Sequence, residues 1–130
     1  MKKLIGLITL LAVLICCASC TDVPELWTDA TYQSDTTLGE GQTEFTVEIK
    51  AGDKSIELTV KSDEAILGNA LFELGIINDP SFFDVANGIK ANWSKDNAYW
   101  MFTKDGQYMN WGVGDETIEN GAHYELVYTK

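Results

Sequence analysis

The sequence predicts an α+β domain: a mostly antiparallel sheet covered by one helix. Three observations predict it. Two stretches, one from Glu44 to Ala51 and one around Ile56, Leu58 and Val60, alternate apolar and polar side chains across a turn. One stretch then changes to helical spacing. Alternation returns twice before the C-terminus.

From Glu44 to Ala51, Phe45, Val47 and Ile49 share one face, and Glu44, Thr46, Glu48 and Lys50 share the other. Ile56, Leu58 and Val60 repeat the pattern against Glu57, Thr59 and Lys61. Ala51–Gly52–Asp53–Lys54 between them is a turn signal, so the two runs read as a hairpin with one buried face. Upstream, Leu26 to Tyr32 is expected to form an early strand, broken by Gly39–Glu40–Gly41.

Asp63 to Ile77 changes period. Ile66, Ala70, Leu71 and Leu74 recur at three- and four-residue spacing. Ser62 or Asp63 is expected to cap this helix, and Glu64 suits the positive end of its dipole. Gly75 and Asn78–Asp79–Pro80 end it.

Phe82 to Ile89 is short and strand-like, with Asn87–Gly88 as its turn. Tyr99 to Thr103 is a clearer strand, Asp105–Gly106 a strong hairpin signal, and Tyr108 to Trp111 the return. Tyr124, Leu126 and Tyr128 alternate in a final strand. The order ββαβ(β)β predicts one helix packed on the sheet, in a β-grasp-like arrangement.

Residues 1–19 read as a secretory leader of lipoprotein type. Lys2 and Lys3 precede an apolar run from Leu4 to Ile15 that is too short to span a bilayer comfortably. Ala18 and Ser19 are the small residues a signal peptidase needs. Cys20 follows at the position where the thiol takes a diacylglycerol group, although Cys17 stands where Leu or Val is usual. The organisation expected is leader 1–19, anchor and spacer 20–25, and one domain over 26–130. The protein is expected outside the cytoplasm, lipid-anchored to a bacterial cell membrane.

Cys16 and Cys17 leave with such a leader, so the mature chain has no disulfide framework and no thiol nucleophile. It carries seven lysines against twenty acids, a formal charge of −13, and no arginine. That balance excludes a basic nucleic-acid footprint and a polybasic contact with anionic lipid. No DxDxDG loop supports calcium binding.

His123 is the only histidine. Ala122 and Tyr124 beside it offer no partner for acid–base work, and no G-x-S-x-G elbow exists. A zinc site of three or four N or S ligands cannot be built on one histidine. Gly112–Val113–Gly114 and Gly39–Glu40–Gly41 complete no phosphate loop. No catalytic residue, metal or cofactor is expected, and His123 is expected to be dispensable.

Trp93, Tyr99, Trp100, Phe102, Tyr108 and Trp111 cluster within twenty residues. One face of the Tyr99–Thr103 strand must meet the core; the other carries aromatic or thioether groups toward solvent or a ligand.

AYWMFTKDGQYMNWGVGD, with the final ELVYT, resembles the C-terminal domain of transcobalamin and intrinsic factor. It is closer to bacterial surface proteins that carry this domain alone, a family formally of unknown function. The resemblance takes in WTDATYQSDTTLGEG, KSIELTVKSDEAILGNALFELGII and VANGIKANW, from about Trp27 to Lys130. It implies a small β-grasp-type domain that closes over a corrin ring. The ligand contacts implied are Phe82, Phe83, Trp100, Met101, Phe102, Tyr108 and Met109. The carriers usually have Gln where Met101 stands. They also hold cobalamin against a large helical domain that has no counterpart in this sequence, so half a site is expected to bind weakly.

The function expected is therefore a non-enzymatic, surface-anchored binding module for cobalamin or a related corrinoid. Its partners would be the membrane and an importer or second surface protein. The alternative is a module that binds another protein or a glycan on the same aromatic face. Cys20→Ala is expected to leave the protein released or unprocessed rather than membrane-associated. Mass spectrometry of the native N-terminus checks this; an unmodified terminus at another residue overturns it.

Overall fold

The computed structural model describes residues 24–130. The leader, Cys20 and the first part of the spacer lie outside the described residues.

The hairpin forms as its alternation dictates. Strands β2 (Thr43–Ala51) and β3 (Lys54–Ser62) pair antiparallel from Thr43 beside Ser62 to Ala51 beside Lys54. Phe45, Val47, Ile49, Ile56, Leu58 and Val60 are all buried on one face. Each such side chain contributes about 2 kcal/mol relative to exposure.

The Leu26–Tyr32 strand does not form. Glu25–Trp27 makes a single 3-10 turn instead. Trp27 enters the core as a side chain: its indole N–H donates to the Ala51 carbonyl at 2.9 Å, and Lys54 Nζ lies 4.8 Å over its ring. Farther on, Asn87 clamps Tyr32, its Oδ1 accepting from the Tyr32 N–H and its side-chain amide donating to the Tyr32 carbonyl, both at 2.9 Å. These bonds occupy the segment that the sequence offered as a strand. The strand in this region is β1 (Thr36–Leu38), which pairs parallel with β3.

The helix is shorter than its periodicity suggests. α1 spans Leu67–Glu73, with Leu67, Ala70 and Leu71 buried. Neither Ser62 nor Asp63 caps it: Ser62 ends β3, and Asp63 accepts the Gln42 N–H at 2.8 Å. Residues 65–67 are held extended by a bridge from Ile66 to Thr117 and by bonds from Leu67 N–H to Glu116 and from Ile118 N–H to Ala65. The first turn that capping would need is thus given to cross-chain pairing. At the other end the helix stops before Gly75, whose φ is positive, and the Ile76 N–H returns to the Leu71 carbonyl.

Phe82 and Phe83 lie in a loop, not in a strand. Asp79 Oδ2 accepts the Ser81 and Phe82 N–H groups at 2.9 and 2.8 Å, which turns the chain. Extended pairing begins only at β4 (Val85–Ala86), joined to β5 (Ile89–Lys90) by the Asn87–Gly88 turn. One further helical turn, α2 (Trp93–Asp96), is capped by Asn92, whose Oδ1 accepts the Lys95 N–H at 3.0 Å.

β6 (Tyr99–Lys104) and β7 (Gln107–Tyr108) flank the Asp105–Gly106 turn, where both residues have positive φ, as a type I′ hairpin requires. The final strand is β8 (His123–Thr129). The large sheet runs β1-β3-β2-β8-β6-β7 and is mixed: β1–β3 and β2–β8 are parallel, and the other pairs antiparallel. Alternation fixes which face a side chain takes but not strand direction, so the parallel pairs were not legible. The class is α+β.

The loop carrying Phe82 lies tight against α1. A Cβ on Gly68 would sit 2.0 Å from the Pro80 carbonyl oxygen. Gly→Ala inside a helix ordinarily stabilises. Here Gly68→Ala is expected to destabilise by about 1–3 kcal/mol, because backbone must move. Thermal unfolding checks the sign: each 1 kcal/mol lowers Tm by about 4–8 °C in a domain near this size.

Candidate functional site

β7 pairs only with Thr103 and Lys104. From Tyr99 to Phe102 the outer edge of β6 therefore has no strand partner among the described residues. Aromatic side chains gather there in two adjoining cavities. One, of about 460 Å³, lies between the Ser81–Asp84 loop and Trp100, Phe102 and Val113. The other, of about 290 Å³, lies between β6 and residues 108–112. Trp100, Phe102 and Gly112 line both.

All seven residues implied by the resemblance line this groove, in different roles. Trp100 and Phe102 are its floor, only 9% and 8% exposed. They sit on the core face of β6. The Trp100 indole donates to the Ile89 carbonyl at 3.1 Å and meets Tyr128 edge-on; Phe102 stacks on Tyr124 at 5.9 Å. They do not form an open aromatic face. Met101, one residue out of phase, reaches the groove from the strand edge. Met109 and Phe83 pack partly buried against the core. The exposed rings are Phe82 (94%) and Tyr108 (71%).

Two aromatic side chains outside the implied set, Trp111 and Tyr99, are half-exposed on the rim, and Glu116 bonds to Trp111 from outside the groove lining. The aromatic cluster contained the first two. Nothing in the spacing pointed to Glu116, a buried carboxylate that holds Trp111 in place. Its Oε1 accepts the Trp111 indole N–H at 2.8 Å, and its Oε2 accepts the Tyr124 hydroxyl at 3.1 Å and faces Lys104 Nζ at 3.4 Å. Glu119, 2.7 Å from the same ammonium, is the main cause that raises the Lys104 pKa. In the loop that carries Phe82, the Phe82 and then the Ser81 N–H hold the Asp79 carboxyl below its usual range.

The opposite face of the sheet holds a second constellation. His123 has partners that its sequence neighbours could not supply. Thr46 Oγ1 lies 2.6 Å from its Nδ1, and Glu48 Oε1 and Glu125 Oε2 lie 3.2 and 3.5 Å from its Nε2. The expectation that it lacks an acid–base partner is corrected by strand pairing. Among the described residues, Glu48, His123 and Glu125 are the group with metal-ligand spacing.

No family model and no curated protein matches the chain. Solved structures do. A Ruminococcus gnavus protein described as a candidate metal binder superposes with a TM-score of 0.63 at 22% identity, over 68% of this chain and 98% of its own. Haptocorrin in complex with Cbi superposes with a TM-score of 0.48 at 17% identity, over 68% of this chain and 25% of its own. The first likeness is one of fold alone. The chain spans about a quarter of haptocorrin, and at that score the likeness says nothing of ligand.

Burial pushes the Tyr124 phenol up from 10.0 to about 12. The folded state thus keeps this proton where the unfolded chain loses it. The stabilisation is fully present below pH 10 and is lost as pH rises through about 12. Tyr124→Phe is expected to flatten that alkaline loss. At neutral pH it should cost about 1–3 kcal/mol, since Glu116 loses a donor while buried. Denaturant unfolding of both proteins at neutral and alkaline pH checks the two effects together.

Proposed function

We propose that the chain is a non-enzymatic binding module whose aromatic groove takes cobalamin or a related corrinoid. The observation that carries the reading is the groove itself. Its floor of Trp100 and Phe102 is rigid, and Phe82, Tyr108 and Trp111 stand exposed around it. A flat macrocycle with apolar faces and polar amide edges suits such walls. The sequence resemblance to the transcobalamin C-terminal domain supports this ligand class. A β-grasp-like arrangement is supported by the order hairpin, helix, last strand, with β8 parallel to β2 at the sheet centre. The lipid on Cys20 would keep the module at the outer membrane surface, where it would pass its ligand to an importer.

One observation favours a second reading. Trp93 and Tyr99 form an exposed edge-on pair at 6.1 Å, which extends the aromatic surface past the groove. Such a surface suits a glycan or a protein partner.

With half a site, affinity for cobalamin and cobinamide is expected on the order of micromolar, about −8 kcal/mol. Tyr108→Ala should weaken it more than tenfold with unchanged circular dichroism, because that ring is largely exposed; Trp111→Ala should weaken it as well, at some cost in stability because the buried Glu116 loses a donor. Trp100→Ala is a poorer probe, since its loss should cost about 3–5 kcal/mol of stability. Isothermal titration decides. Absence of heat and of tryptophan quenching at high micromolar corrinoid removes the corrinoid; binding untouched by both rim variants moves the site.

A further inference from the structure

On the face of the sheet away from the groove, β2 and β8 run parallel with Thr46 beside His123 and Glu48 beside Glu125. The two-residue period puts all four side chains on one side. β6 adds Thr103 beside Glu125. Two carboxylates in register on neighbouring strands repel. The chain already carries a formal charge of −11. Glu125 is also buried, so water screens it little. The pair calls for a cation between them.

We infer that Glu48, His123 and Glu125 form a binding site for a divalent transition-metal ion, with Zn²⁺ the first candidate. One ligand atom from each residue lies within 4.8 Å of the other two. His123 Nε2 stands 3.2 Å from Glu48 Oε1 and 3.5 Å from Glu125 Oε2. Two ligands about 2.1 Å from a tetrahedral ion are about 3.4 Å apart, so these separations are those of neighbouring ligands. Small side-chain rotations close the set around one ion.

The surrounding groups orient each ligand. Thr46 Oγ1, 2.6 Å from His123 Nδ1, can accept the proton there and leave the Nε2 lone pair to the ion. Glu125 is held by the Thr103 hydroxyl and by the Gly106 N–H, 3.0 and 3.1 Å from its two oxygens. Lys50 Nζ faces Glu48 Oε2 at 3.6 Å, the oxygen turned away from His123. One imidazole and two carboxylates suit Zn²⁺ better than Ca²⁺ or Mg²⁺, which take oxygen ligands. Three protein ligands leave a fourth position for water or an outside donor. The competing arrangement holds no ion, with His123 Nε2 hydrogen-bonded directly to Glu48.

Calorimetric titration of the purified, chelator-stripped chain with ZnCl₂ near neutral pH separates the two. The expected result is one Zn²⁺ per chain, with a Kd on the order of micromolar or tighter and a rise in Tm. Ca²⁺ should give neither. His123→Gln and Glu48→Gln should each weaken Zn²⁺ binding more than tenfold, and Thr46→Val about tenfold. Should Glu48→Gln fail to fold, His123→Gln decides alone. No heat and no Tm shift in the unsubstituted chain would overturn the site. Unchanged Zn²⁺ affinity in His123→Gln would overturn it too, by placing the ion elsewhere.

Discussion

β8 lies between β2 and β6, parallel to one and antiparallel to the other, and both the aromatic groove and the His123 cluster depend on that placement. Toward the helix it sends Tyr124 and Leu126, which pack against Phe45 and beneath Phe102. Toward the other side it sends His123 and Glu125, which meet Thr46 and Glu48. A slip of one residue in either pairing would exchange the two sets. Register is therefore fixed by burial on one side and by polar contacts on the other.

A single carboxylate joins the core to the groove. Glu116 accepts from Tyr124, under the sheet, and from Trp111, on the rim. Lys104 from β6 balances its charge. Removal of Trp111 or of the Tyr124 hydroxyl takes a donor from the buried Glu116, and removal of Lys104 takes its counter-charge, so these residues are coupled. The rim tryptophan is tied to the most buried tyrosine through two hydrogen bonds. Its position is thereby set by the fold rather than by a loop alone.

Much of this was legible in the sequence, and the illegible parts share a cause. Alternation placed Phe45, Val47, Ile49, Ile56, Leu58 and Val60 in the core, because a half-buried strand has a period of two. Asp105–Gly106 fixed its hairpin through backbone geometry that few residue pairs adopt. The first strand failed because Trp27 bonds to Ala51, twenty-four residues on, and Asn87 captures Tyr32 from fifty-five residues away. The helix start failed because Thr117 and Glu116 compete for residues 66 and 67. His123 met Thr46 and Glu48, seventy-seven and seventy-five residues away, only through a parallel pairing. Local pattern carries local structure; partners that distant leave no mark on it. In the candidate site, the aromatic cluster announced the groove, yet which rings are floor and which are rim followed from strand phase and loop closure.

Phe82 projects almost wholly into solvent, but its backbone does not wander. Asp79 grips its amide, and the preceding residues lie against Gly68 and Gly114 of neighbouring segments. An apolar ring on a backbone so held keeps only its own side-chain freedom. Side-chain ordering on contact costs about 0.5–1.5 kcal/mol, and a floppy loop would add its backbone to that. Were a partner to meet Phe82, the backbone share of that ordering would already be settled at folding, and only the ring's own rotamers would remain to be fixed.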